Sequence, residues 1–69
     1  MRRADRLFQI IERLRGRASV TARELAQQLE VSERTIYRDV QDLMASGVPI
    51  DGAAGVGYAL GRGFDLPPI

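Results

Sequence analysis

The sequence predicts a mainly α-helical domain in which three helices are followed by a small two-stranded β-hairpin. Apolar residues recur at helical spacing in three separate segments of this 69-residue chain. The second and third segments each begin with a residue that caps helices well. Beyond residue 47 the pattern changes to short apolar runs separated by glycines, which is typical of strands joined by a turn.

The first helix is predicted over residues 3–15, because four apolar residues share one face at spacings i, i+3, i+4 and i+7. They are Leu7, Ile10, Ile11 and Leu14. Gly16 is a natural stop for this helix. Phe8 lies off the stripe, so it either covers an edge of the core or marks a contact surface.

The second helix is predicted over residues 22–29. Thr21 and Glu24 form a T-x-x-E capping box, in which the Glu24 side chain reaches back to the Thr21 backbone. Its apolar face carries Leu25, Ala26 and Leu29. Val20, just before the cap, either pairs as a very short strand or acts as a hydrophobic staple.

The third helix is predicted from Glu33 to Ser46, after a turn at Val31 and an N-cap at Ser32. Its apolar stripe contains Ile36, Val40, Leu43 and Met44. Gly47 ends the helix and Pro49 prevents its continuation.

The hairpin is predicted from strands at Val48–Asp51 and Tyr58–Leu60, joined by a glycine-rich loop over residues 52–57. Tyr58 and Leu60 share one face of their strand. Because an isolated hairpin is barely stable in water, we expect it to pack on the helices.

The charge distribution is more informative than the net charge of +1. All ten basic residues are arginine, and residues 1–17 hold six of them against two acidic residues, a local charge of +4. Arginine suits bidentate contacts with phosphates and guanine edges. The same arginines are also compatible with an ordinary solubilising surface.

Several classes of function are disfavoured. The chain has no histidine or cysteine, the commonest general base and the commonest zinc ligands. Asp39 and Asp42 are explained more readily as partners of nearby arginines than as an acid/base pair. We therefore expect no enzyme, metal or cofactor. No apolar run approaches the roughly 20 residues of a membrane span, so we expect no membrane association and a cytoplasmic location.

Two helices joined by a short turn form the helix-turn-helix layout, and the hairpin would make it a winged helix-turn-helix. The third helix turns polar residues outward: Arg34, Tyr37, Arg38 and Gln41, with Thr35 on one shoulder. Arginine pairs with guanine, glutamine with adenine, and the Thr35 methyl or Tyr37 ring can contact a thymine methyl. The helix N-terminus at Ser32 offers backbone N–H groups to a phosphate.

Two alternatives remain open at this point. Arg38 and Asp42 are spaced i, i+4 and can pair with each other on the surface. Small three-helix domains also serve as protein-interaction modules without reading DNA.

The chain also resembles the winged helix-turn-helix of DeoR-type regulators, most closely the subgroup with a C-terminal WYL ligand-sensing domain. The runs that carry the resemblance are TARELA, VSERTIYRDV, GVPI and GYAL. It implies that the third helix enters the major groove of double-stranded DNA, that Arg23 faces a phosphate and that the hairpin is a wing. The candidate DNA-binding residues are Arg23, Ser32, Arg34, Thr35, Tyr37, Arg38, Gln41, Gly57 and Tyr58.

The sequence departs from that family's pattern at two places. Glu30 stands where such proteins often carry glycine, at a cost of about 1 kcal/mol if the backbone there is left-handed. The wing tip holds Ala53, Ala54 and Val56 and no basic residue, so any wing contact would use glycine N–H groups.

We assign residues 1–62 to the DNA-binding domain and residues 63–69 to a linker or tail. The run FDLPPI resembles the junction that leads into the sensing domain of WYL-type regulators. We therefore expect a missing C-terminal effector-sensing domain. Pairing as a homodimer would predict half-sites about one helical turn apart.

Overall fold

A computed structural model describes residues 2–15, 19–53 and 55–61. The elements follow the order α1 (Arg3–Leu14), α2 (Ala22–Leu29), α3 (Glu33–Ala45), β1 (Ile50–Ala53) and β2 (Gly57–Leu60). The two strands form one antiparallel hairpin. This confirms the predicted winged helix-turn-helix architecture. The predicted stop at Gly16, the Ala54 position and the tail 63–69 lie outside the described residues.

The starts of α2 and α3 are fixed by side-chain caps. The Thr21 hydroxyl accepts a hydrogen bond from the backbone N–H of Glu24 at 3.1 Å, and the Ser32 hydroxyl accepts one from Thr35 at 3.1 Å. Within the described chain, the reciprocal bond from the Glu24 side chain is not formed, so only half of the predicted capping box is present. Both helices begin at the predicted residues.

The turn between α2 and α3 has a left-handed backbone at Glu30, with φ 57° and ψ 45°. This residue ends α2, and the N–H of Val31 bonds to the carbonyl of Ala26 at 3.0 Å. Val31 is partly buried against the core. The turn therefore sets the angle between the two helices with a non-glycine residue in a conformation that favours glycine.

The core lies between the three helices and the hairpin. Its buried members are Ile10, Leu14, Val20, Ala22, Leu25, Ala26, Leu29, Ile36, Val40, Leu43, Ile50 and Tyr58. The prediction that Met44 belongs to the buried stripe is wrong, because this side chain is 38% exposed. Asp39, on the opposite flank of the stripe, is buried instead. It pairs with Arg6, so α1 covers the Asp39 flank and leaves the Met44 flank open.

The hairpin begins later than predicted. β1 starts at Ile50 rather than Val48, because Pro49 has no N–H to give to the ladder. The register pairs Ile50 with Leu60 and Gly52 with Tyr58, so the loop is shorter than the predicted 52–57. Gly52 has φ +111°, and a Cβ there would overlap the carbonyl oxygen of Gly57.

Val20 joins the hairpin as a third, single-residue strand. Its N–H and carbonyl bond to the carbonyl and N–H of Tyr58, at 2.8 and 2.7 Å. This confirms the short-strand alternative for Val20. The bridge holds the hairpin against the segment that leads into α2, and the Tyr58 side chain faces the core.

Candidate nucleic-acid interface

One face of α3 carries most of the predicted DNA-binding residues. Arg34, Tyr37, Arg38 and Gln41 are exposed, and Thr35 is half-buried at the edge of the same surface. Ser32, at the helix start, is also exposed. We call the surface formed by residues 32, 34, 35, 37, 38 and 41 the α3 face.

Two of the three acidic residues of α3 are neutralised by the first helix. Asp39 forms an ion pair with Arg6, and Asp42 forms one with Arg3. The Arg38–Asp42 pair that the i, i+4 spacing allowed is therefore not formed. In the described part of the chain, Arg34 and Arg38 have no hydrogen-bond or ion-pair partner. Their guanidinium groups are free to bind an anion or a base edge.

The sequence reasoning missed the groove between α1 and α3. It is lined by Arg3, Arg6, Thr35, Arg38, Asp39 and Asp42. The hydrogen bond with Asp39 raises the pKa of the Arg6 guanidinium, and the Asp39 charge adds to this effect against the opposing effect of burial. The sequence does contain an indication of this groove. Arg3 and Arg6 are spaced i, i+3 on α1, and Asp39 and Asp42 have the same spacing on α3.

The first turns of α2 and α3 each carry an exposed arginine. Arg23 follows the Thr21 cap by two residues, and Arg34 follows the Ser32 cap by two residues. A cation in the first helical turn opposes the helix dipole, at a cost of about 0.3–1 kcal/mol. Neither arginine has a partner among the described residues that would offset this cost. Such positions are typical of sites that bind anions.

Tyr37 occupies the edge of the α3 face next to Glu33. Its hydroxyl donates a hydrogen bond to the Glu33 carboxylate at 3.2 Å. The pKa of Tyr37 is raised above its ordinary value, mainly by desolvation at the protein surface and to a smaller extent by this hydrogen bond. The phenol is therefore neutral at physiological pH, and its partly exposed ring offers an apolar surface with a fixed orientation.

The wing residues Gly57 and Tyr58 differ from the α3 face in being buried. Gly57 is buried, and the Tyr58 side chain is only 7% exposed, because it packs in the core. Both backbone polar groups of Tyr58 are bonded to Val20. Burial raises the pKa of the Tyr58 phenol. Tyr58 offers neither accessible side-chain surface nor free backbone groups, so we leave it out of the proposed interface, whereas contact by the Gly57 backbone N–H stays a prediction. At the tip, Val56 is exposed and apolar.

Comparison with known proteins identifies the fold's family. The family described as "HTH domain" matches residues 6–59, which contain most of α1, all of α2 and α3, the turn between them and most of the hairpin. The chain belongs to the helix-turn-helix (HTH) domain family. HTH domains are DNA-binding modules in which the second helix of the pair is the recognition helix. In this HTH domain the pair is α2 and α3.

A curated relative extends this comparison. The HTH domain is 40% identical over 57 residues to the "Uncharacterized HTH-type transcriptional regulator YobV" of Bacillus subtilis (strain 168). The match covers 83% of this chain and 18% of the relative, so the chain spans less than a fifth of the relative's length. No solved structure matched the chain. None of the helices described here is long and apolar enough to cross a membrane.

Proposed function

We propose that this HTH domain binds double-stranded DNA in a sequence-specific manner, with α3 in the major groove, as the DNA-reading part of a transcription regulator. One observation carries the proposal. In the part of the chain that the structure describes, Arg34 and Arg38 are exposed and without a partner on the α3 face, and α1 supplies the partners of both nearby aspartates. A recognition helix needs free donors of this kind at its outer surface.

The residues of the α3 face have distinct proposed roles. Arg34 and Arg38 donate to guanine O6 and N7, and Gln41 pairs with adenine. Thr35 and Tyr37 contact thymine methyl groups through the Thr35 methyl and the Tyr37 ring. The hydrogen bond between Tyr37 and Glu33 supports this role, because it reduces the number of orientations open to the ring.

Phosphate contacts would fix the orientation of the domain on DNA. We assign them to Arg23 at the start of α2 and to Ser32 at the start of α3, where free backbone N–H groups and the positive end of the helix dipole favour an anion. The Ser32 hydroxyl already caps the helix, so its contribution to a phosphate comes mainly from this end of α3.

The larger protein is also a matter of proposal. The name of the Bacillus subtilis relative supports a role in transcription regulation, and that relative is much longer than this chain. We propose a DeoR-type regulator of the WYL-containing subgroup, in which a C-terminal domain senses an effector and helps to form a homodimer. Such a regulator would act in the bacterial cytoplasm.

Salt-dependent binding to a mixed-sequence duplex tests the proposal. We expect affinity to fall steeply with salt concentration, because the arginines displace condensed counterions. Arg23→Ala, which removes one proposed phosphate contact, should reduce the slope of log K against log salt by about 1. Arg15→Ala, on α1 and paired with Glu12, is the control and should change it little. Absence of binding at low salt would favour the protein-interaction module.

A further inference from the structure

We infer that Arg3 is a further DNA-phosphate ligand of this HTH domain and that Asp42 masks it in the free protein. The inference rests on the proposed function. It concerns the N-terminal end of α1, which neither the family match nor the helix-turn-helix layout assigns to DNA contact.

The groove between α1 and α3 connects Arg3 to the α3 face. Two of the residues that line it, Thr35 and Arg38, also belong to that face. The other residues that line it include the ion pair of Arg3 with Asp42. A duplex that Thr35 and Arg38 contact therefore lies at the mouth of the same groove as the Arg3 guanidinium.

The two ion pairs in this groove differ in kind. Arg6 makes two hydrogen bonds to Asp39, and the side chains are 17% and 3% exposed. Arg3 makes a single contact with Asp42, and the side chains are 62% and 45% exposed. An exposed single-contact pair contributes little to stability and exchanges readily with solvent or another anion. The Arg6 pair is a fixed part of the structure, whereas the Arg3 pair can be replaced.

A DNA phosphate is a suitable replacement for the Asp42 carboxylate. Guanidinium binds both groups through parallel N–H···O bonds. Duplex DNA carries one negative charge per ~1.7 Å of axis, and its neutralisation releases condensed counterions. Moving Arg3 from Asp42 to a phosphate is therefore favoured on DNA. The exchange also leaves the Asp42 carboxylate without its partner near the DNA backbone. This unpaired negative charge weakens binding to every sequence, so binding depends more on base contacts.

The test is a two-residue cycle on the whole chain, with Arg3→Gln, Asp42→Asn and the double variant. Arg15→Gln and Glu12→Gln are the matched controls. They alter another exposed ion pair, Arg15 with Glu12, whose side chains are 41% and 44% exposed and which lies toward the other end of α1. Each protein is titrated with a mixed-sequence duplex over a range of salt concentrations. Thermal unfolding monitored by circular dichroism checks that each variant is folded.

We expect Arg3→Gln to weaken binding about eightfold at 0.1 M salt and to reduce the salt slope by about 1, the amount expected for one lost phosphate contact. Asp42→Asn should tighten binding about two- to fivefold, as expected for release of a surface ion pair. That gain should disappear in the double variant. Arg3→Lys should keep most of the salt slope, because it keeps the charge.

Two results would overturn the inference while leaving the proposed function intact. The first is an Arg3→Gln effect no larger than that of Arg15→Gln. The second is an Asp42→Asn gain that persists without Arg3, which would indicate general repulsion rather than masking. If the unmodified chain binds no DNA, the proposed function is contradicted, and this inference with it.

Discussion

Arg6 on α1 makes two hydrogen bonds to the carboxylate of Asp39 on α3, from Nε to Oδ2 and from Nη2 to Oδ1, the latter at 3.1 Å. The Asp39 side chain is almost completely buried. This pair joins the first helix to the proposed recognition helix and neutralises an acidic group that lies next to Arg38 in the chain. It therefore supports both the packing of α1 and the positive character of the α3 face.

Replacing Arg6 with Met should destabilise the fold by about 2–4 kcal/mol, because it leaves the Asp39 charge buried without a partner. Urea unfolding measures the change. The double variant Arg6→Met/Asp39→Leu should recover most of the loss, because it removes the buried charge as well. An Arg6→Met protein as stable as the original would contradict the structural role given to this pair.

Glu30→Gly should stabilise the protein by about 0.5–1 kcal/mol, because the left-handed backbone at this position disfavours any residue with a Cβ. The side chain is exposed, so its removal sacrifices no packing. Glu30→Ala is the control, since it also removes the charge but keeps the Cβ. Thermal unfolding compares the stability of the two variants. A Glu30→Gly protein no more stable than Glu30→Ala would contradict backbone strain at this position.

The sequence allowed prediction of the features that depend on neighbouring residues. Thr21 and Ser32 cap their helices through hydroxyl groups three residues from the bonded N–H, so both helix starts were predictable. The matching i, i+3 spacing of the arginines and aspartates is visible in the sequence, but the pairing of Asp39 with Arg6 depends on how α1 crosses α3. The exposure of Met44 also depends on how α1 crosses α3, because α1 covers the opposite flank of α3. Strand alternation placed Tyr58 and Leu60 on one face but did not show that this face meets the core, so the burial of Tyr58 was not predicted.

Alanine should be tolerated unequally at the glycines of the wing and of the turn that precedes it. Gly52→Ala should cost about 2–3 kcal/mol, because φ is positive and the new Cβ overlaps the Gly57 carbonyl. Gly47→Ala, which has positive φ but open space around it, should cost about 1 kcal/mol. Gly55→Ala, with open space and no positive φ, should change stability by less than about 0.5 kcal/mol. Chemical denaturation measures all three, and equal costs would contradict the hairpin register.

Stability should fall at alkaline pH because of the tyrosines. The chain has no lysine, histidine or cysteine, so its two tyrosines are the side chains that titrate between about pH 6 and pH 12. The pKa of Tyr58 is raised by burial, and the pKa of Tyr37 is raised by desolvation and its bond to Glu33. A raised pKa in the folded state leaves stability intact below about pH 10, the unfolded value. Stability is then lost as pH rises through the folded value.

Tyr58→Phe should therefore match the original protein near pH 7 and lose less stability above about pH 10. The double variant Tyr37→Phe/Tyr58→Phe should lose least. Urea unfolding at a series of pH values measures the effect. If the double variant loses as much stability at alkaline pH as the original protein, the two phenols are not the cause of that loss.

Selection of bound sequences from a random duplex pool, with the original chain and two arginine variants, tests the account most directly. The original should enrich one motif. Arg34→Ala should lose base preference at one position of that motif and weaken specific binding by about 1–3 kcal/mol, whereas Arg23→Ala should weaken all sequences alike and keep the motif. If Arg34→Ala selects the same motif as the original chain, α3 does not read bases as proposed here.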